Sequence, residues 1–221
     1  MERFNSVTTR DYGLLSKVYG LLAFSIAFAI AGSVIGLSRI EFIDRYIWLI
    51  AIFDILFAIV TSVVSLNKRM VLLGFILLNV FAFIMGFTIT PMLSFALSVN
   101  PATIVYALVT TAATFIGMSL VPIVFRVNVL GMGGFLFAGV IDLIIVSLVN
   151  LFLNSNLLAF VISVLGTVIF NLYVSYDTAR ILAKDPDATA LSLALDLYVD
   201  VFGLFVNILS LFLDFSGNIK D

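Results

Sequence analysis

The sequence predicts an all-α integral membrane protein, a seven-transmembrane-helix bundle with the last helix central. Three observations carry that expectation. Of the 221 residues, 63% are hydrophobic and 11% charged, whereas the apolar share of a water-soluble domain is normally about half at most. The apolar residues fall into seven runs of about 20, the length that crosses a ~30 Å hydrocarbon core as helix. The runs are continuous, where barrel strands would alternate in shorter segments.

In chain order, residues 1–17 carry Glu2, Arg3, Arg10, Asp11 and Lys17 without a small-residue cleavage site, and read as a polar cytoplasmic lead and not a signal peptide. The seven runs are 18–37, 46–66, 70–90, 102–121, 132–153, 157–176 and 191–213, and 214–221 is a short tail. The transmembrane domain thus covers 18–213, and no connection is long enough to hold a second, soluble one. Gly32/Gly36, Ala113/Gly117 and Gly134/Ala138 are small-x-x-x-small steps that let helix backbones approach closely in lipid. Thr103, Thr110, Thr114 and Gly117 share a face of the fourth run, which is expected to touch water or another helix. Gly131, Gly133 and Gly134 follow no strand and so do not make a phosphate loop.

Composition removes several function classes. With no cysteine and no histidine, the chain has neither thiol chemistry nor the usual transition-metal ligand. Proton sensing near neutral pH would therefore fall to carboxylates. The 11 Lys and Arg residues form no basic tract, so nucleic acid is not an expected partner. With the N-terminus cytoplasmic, Arg3, Arg10, Lys17, Lys68, Arg69, Arg126, Arg180 and Lys184 lie inside and Arg39, Arg45 and Lys220 outside. Eight against three favours that orientation and puts Asp177 at the cytoplasmic end of the sixth span.

The acids at membrane depth are the default functional site, because a carboxylate there costs about 2.5–3.5 kcal/mol on insertion scales. Asp196, Asp200, Gly203 and Asn207 stand at offsets 0, 4, 7 and 11, one polar stripe on the seventh span that is not expected to face lipid. Asp177 ends the run before it, across a short connection at 178–190 that makes the last two spans antiparallel neighbours. Two nearby carboxylates repel when both are ionised and attract when they share a proton, so Asp177 and Asp200 can form a proton switch that titrates as a unit. Asp54, in the middle of the second span, and Asp142, midway along the fifth on the Gly134/Ala138 stripe, are further candidates for an ion path. Asp142 is expected to face a cavity or another acid.

Three stretches resemble a known family: Gly86-Phe-Thr-Ile-Thr-Pro91; Gly133-Gly-Phe-Leu-Phe137 with Ser147-Leu-Val-Asn-Leu-Phe152; and Tyr176-Asp-Thr-Ala-Arg180 followed by Leu197-Tyr-Val-Asp200 and Leu204-Phe205. They are similar to the transmembrane Bax inhibitor motif family, its bacterial branch above all, over 70–213. The resemblance implies a pH-sensitive calcium leak channel of the cytoplasmic membrane, with a di-aspartyl sensor that falls on Asp177 and Asp200. It implies a second-span acid near Asp54 and a basic residue toward that span's cytoplasmic end, where the nearest candidates, Lys68 and Arg69, come slightly late. Arg180, Asp196 and Asn207 are accessory positions. Calcium is the transported ion, passing near Asp177 and Asp200 without a tight metal site, and no cofactor is expected. The chain departs from the family where its seventh-span Asn is Gly203 and where a basic-acidic pair reads Arg126-Val-Asn128.

Two other readings compete. An intramembrane aspartyl protease also uses two acids on adjacent helices, one of them in a Tyr-Asp pair like Tyr176-Asp177, but it needs Gly-x-Gly-Asp around the second, and here that acid follows Leu197-Tyr-Val. A non-enzymatic role is therefore expected. The alternative is a non-conducting membrane regulator that binds protease or cell-death partners. On either reading the chain is a monomer in the lipid bilayer, handling calcium and protons in the first and membrane protein partners in the second.

Overall fold

The computed structural model describes residues 12–125, 127 and 129–218, the side chains of 216–218 excepted. Outside them lie Arg3, Arg10, Arg126 and Lys220 of the charge count, Glu2, Asp11 and Asn128, and the outer parts of the polar lead and tail. Eight α-helices are described: α1 (Tyr12–Leu37), α2 (Ile40–Ser65), α3 (Val71–Thr88), α4 (Thr90–Val99), α5 (Ala102–Leu120), α6 (Gly133–Leu153), α7 (Asn156–Leu182) and α8 (Ala190–Asn218). A π turn at Val121–Phe125 and a 3-10 turn at Leu130–Met132 complete the described elements, none of which is a strand. Seven of the helices are long and apolar enough to cross a membrane.

The exception is α4, where the sequence leads one to expect a loop. Pro91 lies in its first turn, where a missing N–H leaves no helical bond unmade. Boundaries also move. Residues 12–17 of the expected lead belong to α1, and α2 starts six residues before the apolar run does, with Tyr46 interrupting it at φ −116°, ψ 16°. Both α7 and α8 outrun their apolar stretches, to Leu182 and Asn218. Hydropathy stops at the first polar cluster, but Ser175, Asp177 and Thr178 are buried, so the helix passes through them.

The helices group into two compact units. One lies within Met1–Ser94 and Thr178–Tyr198, the other within Phe95–Asp177 and Val199–Asp221. Both draw on α8, the most buried of the seven spans.

In the first unit α1 and α3 meet backbone to backbone. A Cβ on Gly32 would strike the Phe83 carbonyl, one on Gly36 the Thr90 hydroxyl, and one on Gly86 the Ala29 carbonyl. The Gly32/Gly36 step thus does what its spacing suggests, while Gly117 and Gly134 have open space beside them. Ser25 donates to Asn79 Oδ1 at 3.3 Å across the same contact. Tyr198 of α8 sets its ring edge-on to Phe81 and donates its hydroxyl to the Ala82 carbonyl at 3.2 Å, satisfying the polar tip of a fully buried side chain. Thr189 caps α8. Its Oγ1 accepts from the Ser192 N–H and Ser192 Oγ accepts from the Thr189 N–H, a reciprocal capping box. The Thr189 hydroxyl hydrogen goes to the Ser65 carbonyl, which ties the start of α8 to the end of α2.

In the second unit α5 buries Thr103 of the expected face together with Ala107 and Thr111, while Thr110 and Thr114 are half-buried and Gly117 is exposed. The Thr111 and Thr114 hydroxyls bond carbonyls of their own helix, at Ala107 and Thr110, so their polarity is absorbed locally. Pro122 ends α5. It has no N–H to give to the carbonyl four residues back, that of Met118, which accepts from the Val121 N–H and, at 2.9 Å, from the Ser175 hydroxyl of α7.

Candidate functional site

Within the second unit α7 and α8 run antiparallel in a fixed register. Ser163 Oγ meets Ser210 Oγ at 2.9 Å. The Asn207 side chain lies directly against Gly166, and the Phe170 ring against Gly203, where a Cβ would come within 2.6 Å of ring carbons. Each step of three or four residues along α7 is matched by an equal step back along α8. One further step pairs Tyr173 with Asp200. Asp177 then stands four residues beyond that layer, about 6 Å along the axis at 1.5 Å per residue. Both carboxylates are buried, at 2% and 4% exposure.

The turn of α7 that carries Asp177 is held by its neighbours in sequence. Tyr176 and Tyr173 meet edge to face with ring centroids 6.3 Å apart. Gly133, at the start of α6, leaves room for the Tyr176 hydroxyl, since a Cβ there would sit 2.6 Å from it. The Ser175 bond to Met118 fixes the turn that carries both Tyr176 and Asp177. Gly133 and Ser175 thus fix the segment of α7 that carries Tyr176 and Asp177.

The other sequence candidates fall elsewhere. Asp54 is buried in the first unit, where Oδ2 accepts from the Thr88 hydroxyl at 2.7 Å and Oδ1 has no hydrogen-bond partner among the described residues. Sequence reading passed over what accompanies it: Thr61 and Ser65, at offsets 7 and 11 from Asp54, are also buried with unpartnered hydroxyls. Their spacing in the sequence was the signal.

Asp196 is half-buried and pairs with Arg180, Nη1 to Oδ2 at 2.9 Å, while Arg180 Nε and Nη2 both reach Asp185 Oδ2 at 3.1 Å. This clamp joins the last turn of α7, the connection and the first turns of α8. The stripe of acids and amides on α8 is therefore divided: Asp196 serves the hairpin, whereas Gly203 and Asn207 serve the α7 contact, with Asn207 Nδ2 donating to the Gly203 carbonyl at 2.7 Å. Asp142 corrects the expectation placed on it. It is exposed on α6, as are Gly134 and Ala138, where burial against a cavity or a second acid was expected. The sequence shows its depth but not its azimuth, because α6 is apolar all round.

Comparison with known proteins agrees with this architecture. The sequence model of the family described as inhibitor of apoptosis-promoting Bax1 matches residues 12–217. An uncharacterized membrane protein of Vibrio cholerae is 30% identical over 209 residues, 94% of this chain and 88% of that one. An uncharacterized protein of Campylobacter jejuni is 30% identical over 208 residues, covering 92% and 89%, and an uncharacterized membrane protein of Streptococcus pyogenes 31% over 141 residues, 60% of each. With seven apolar helices and a match that spans nearly its whole length, the chain is a multi-pass membrane protein that belongs to the Bax inhibitor family.

Proposed function

We propose that the chain is a pH-sensitive calcium leak protein of the cytoplasmic membrane in which Asp177 and Asp200 form the proton sensor and gate. One observation carries this: two buried carboxylates stand in adjacent layers of one antiparallel helix pair, at a depth where an unshared charge is costly. With both ionised they repel and bias α7 and α8 apart. With one proton between them they attract, and the pair becomes a hydrogen-bonded contact. A difference of a few kcal/mol between those states is enough to shift a closed and an open packing. Calcium is a hard cation that takes oxygen ligands, and carboxylates, hydroxyls and amides are the polar groups this chain buries. Asp54 and its hydroxyl companions are accessory to the path. Arg180 and Asp196 hold the hairpin that carries both acids.

The role proposed is not enzymatic, because the segment before Asp200 lacks the Gly-x-Gly-Asp that an aspartyl protease needs. A second reading, a non-conducting membrane protein that restrains a partner, is favoured by the exposed Asp142 on a face with Gly134 and Ala138. Calcium entry into liposomes containing only the purified chain, followed from pH 5 to pH 8, decides between them. Entry that changes with pH supports the leak, and none at any pH leaves the partner reading.

A further inference from the structure

At one end of the first unit a cavity of about 520 Å³ opens between α1, the turn joining α2 to α3, and the start of α8. Its polar wall holds Lys17, Lys68, Ser65, Asn67 and Thr189, and among the described residues no acid lines it. Its apolar wall holds Leu21, Val71, Leu72 and Phe75, and it runs into the outer surface of the span, where Val71 is 56% and Leu72 73% exposed. A cavity with two ammonium groups at one side and membrane-facing hydrocarbon at the other has the polarity of a phospholipid at the edge of its leaflet.

Two further features point to an anionic group. Ser65 forms part of the wall, yet its hydroxyl is buried and has no hydrogen-bond partner among the described residues. The N-terminus of α3 also reaches the cavity through Val71 and Leu72, and no side chain caps it at Met70. Its first N–H groups are thus free to receive an acceptor. The neighbouring N-terminus of α8 contrasts with it, since the Thr189 and Ser192 side chains cap it. Two lysines, an unused hydroxyl and an uncapped helix start converge where a phosphodiester oxygen would satisfy all of them, and basic pockets between membrane helices are suited to such headgroups. Lys17 and Lys68 lie on the Lys/Arg-rich side, the cytoplasmic one by the charge rule.

We propose that this cavity binds one anionic glycerophospholipid of the cytoplasmic leaflet, its phosphate held by Lys17, Lys68 and Ser65 and its acyl chains laid along Val71, Leu72 and Phe75. The site is separate from the Asp177/Asp200 pair, and the proposal stands whether or not the chain conducts calcium.

The test is native mass spectrometry of the full chain, released from detergent after incubation with synthetic phosphatidylglycerol, phosphatidylcholine or glycerol 3-phosphate. One retained phosphatidylglycerol is expected, with at least fivefold lower occupancy for phosphatidylcholine. The Lys17→Gln/Lys68→Gln pair should lower phosphatidylglycerol occupancy at least fivefold, Lys17→Arg/Lys68→Arg should retain it, and Lys184→Gln, on the same side but outside the cavity, should leave it unchanged. Ser65→Ala, which removes only a hydroxyl, should lower it severalfold. An unchanged double Gln variant, or equal retention of phosphatidylcholine, overturns the proposal. Glycerol 3-phosphate bound as well as the lipid overturns the lipid assignment and makes the cavity a soluble-anion site.

Discussion

Thr88 donates its hydroxyl to Asp54 Oδ2 at 2.7 Å, joining the middle of α2 to the last turn of α3. The other carboxylate oxygen has no partner among the described residues, so this one bond is what the described structure offers a buried acid. Thr88→Val keeps the shape and removes the donor. It is expected to destabilise the chain by about 1–3 kcal/mol, the cost of an unsatisfied buried polar group. Asp54→Leu/Thr88→Val, which removes both partners, should recover most of that loss. Unfolding midpoints in mixed micelles read both, and a Thr88→Val variant as stable as wild type would show that the bond is not structural.

At Gly203 the Phe170 ring occupies the space a side chain would need. Gly203→Asn should therefore be destabilising by a few kcal/mol through overpacking, within the ~1–3 kcal/mol typical of such changes. Phe170→Ala/Gly203→Asn should be closer to wild type than either single variant adding up would suggest. Strict additivity in thermal melts would mean the two positions do not share that space.

The Ser175 hydroxyl joins the Val121 N–H as a second donor to the Met118 carbonyl, at the position where Pro122 has no N–H to offer. Ser175→Ala should cost about 0.5–1.5 kcal/mol, the net worth of one hydrogen bond, and less in a Pro122→Ala background, where the restored N–H can reach Met118. Equal cost in both backgrounds would contradict the substitution logic.

Seven spans put the α1–α2 turn and the α7–α8 connection on opposite sides of the membrane. Single cysteines at Ser38 and Asp187, both exposed in a chain with no native cysteine, should label from opposite faces, with Asp187 cytoplasmic. Labelling of both from one face would remove the topology.

Much of the fold was legible because apolar runs in lipid are unambiguous: all seven spans and the Gly32/Gly36 contact follow from spacing alone. What spacing could not supply is direction in an apolar helix. Asp142 and Asp200 look alike as mid-span acids, yet one is exposed and the other buried, because α8 carries a polar stripe that fixes its azimuth and α6 carries none. Nor could hydropathy see α4, or the last turns of α7 beyond Tyr176, where buried Asp177 and Thr178 read as a helix end. The Arg180–Asp185–Asp196 clamp was missed for a similar reason: its partners are five and sixteen residues from Arg180, outside any single-helix pattern.

The proposed gate gives the last expectation. In the α7–α8 register Asp177 stands one turn beyond the layer of Asp200, and the proposed gate requires the two to share a proton directly or through one water. Replacing either by Asn removes the mutual repulsion and leaves a single acid that titrates by its own surroundings. Calcium flux into liposomes by Asp177→Asn and by Asp200→Asn should lose most of its pH dependence, and the double variant should behave like the singles, because members of one coupled unit are not additive. Asp142→Asn should keep the wild-type profile, since that side chain is exposed on α6 and belongs to neither layer. Arg180→Gln separates gating from scaffolding. It frees the hairpin that carries both acids, so it should lower flux or stability at every pH without moving the midpoint of the pH profile. If both single Asn variants kept the full pH response, the switch would have to lie elsewhere, and Asp54, a further buried acid with an unpartnered oxygen among the described residues, would be the next residue to substitute.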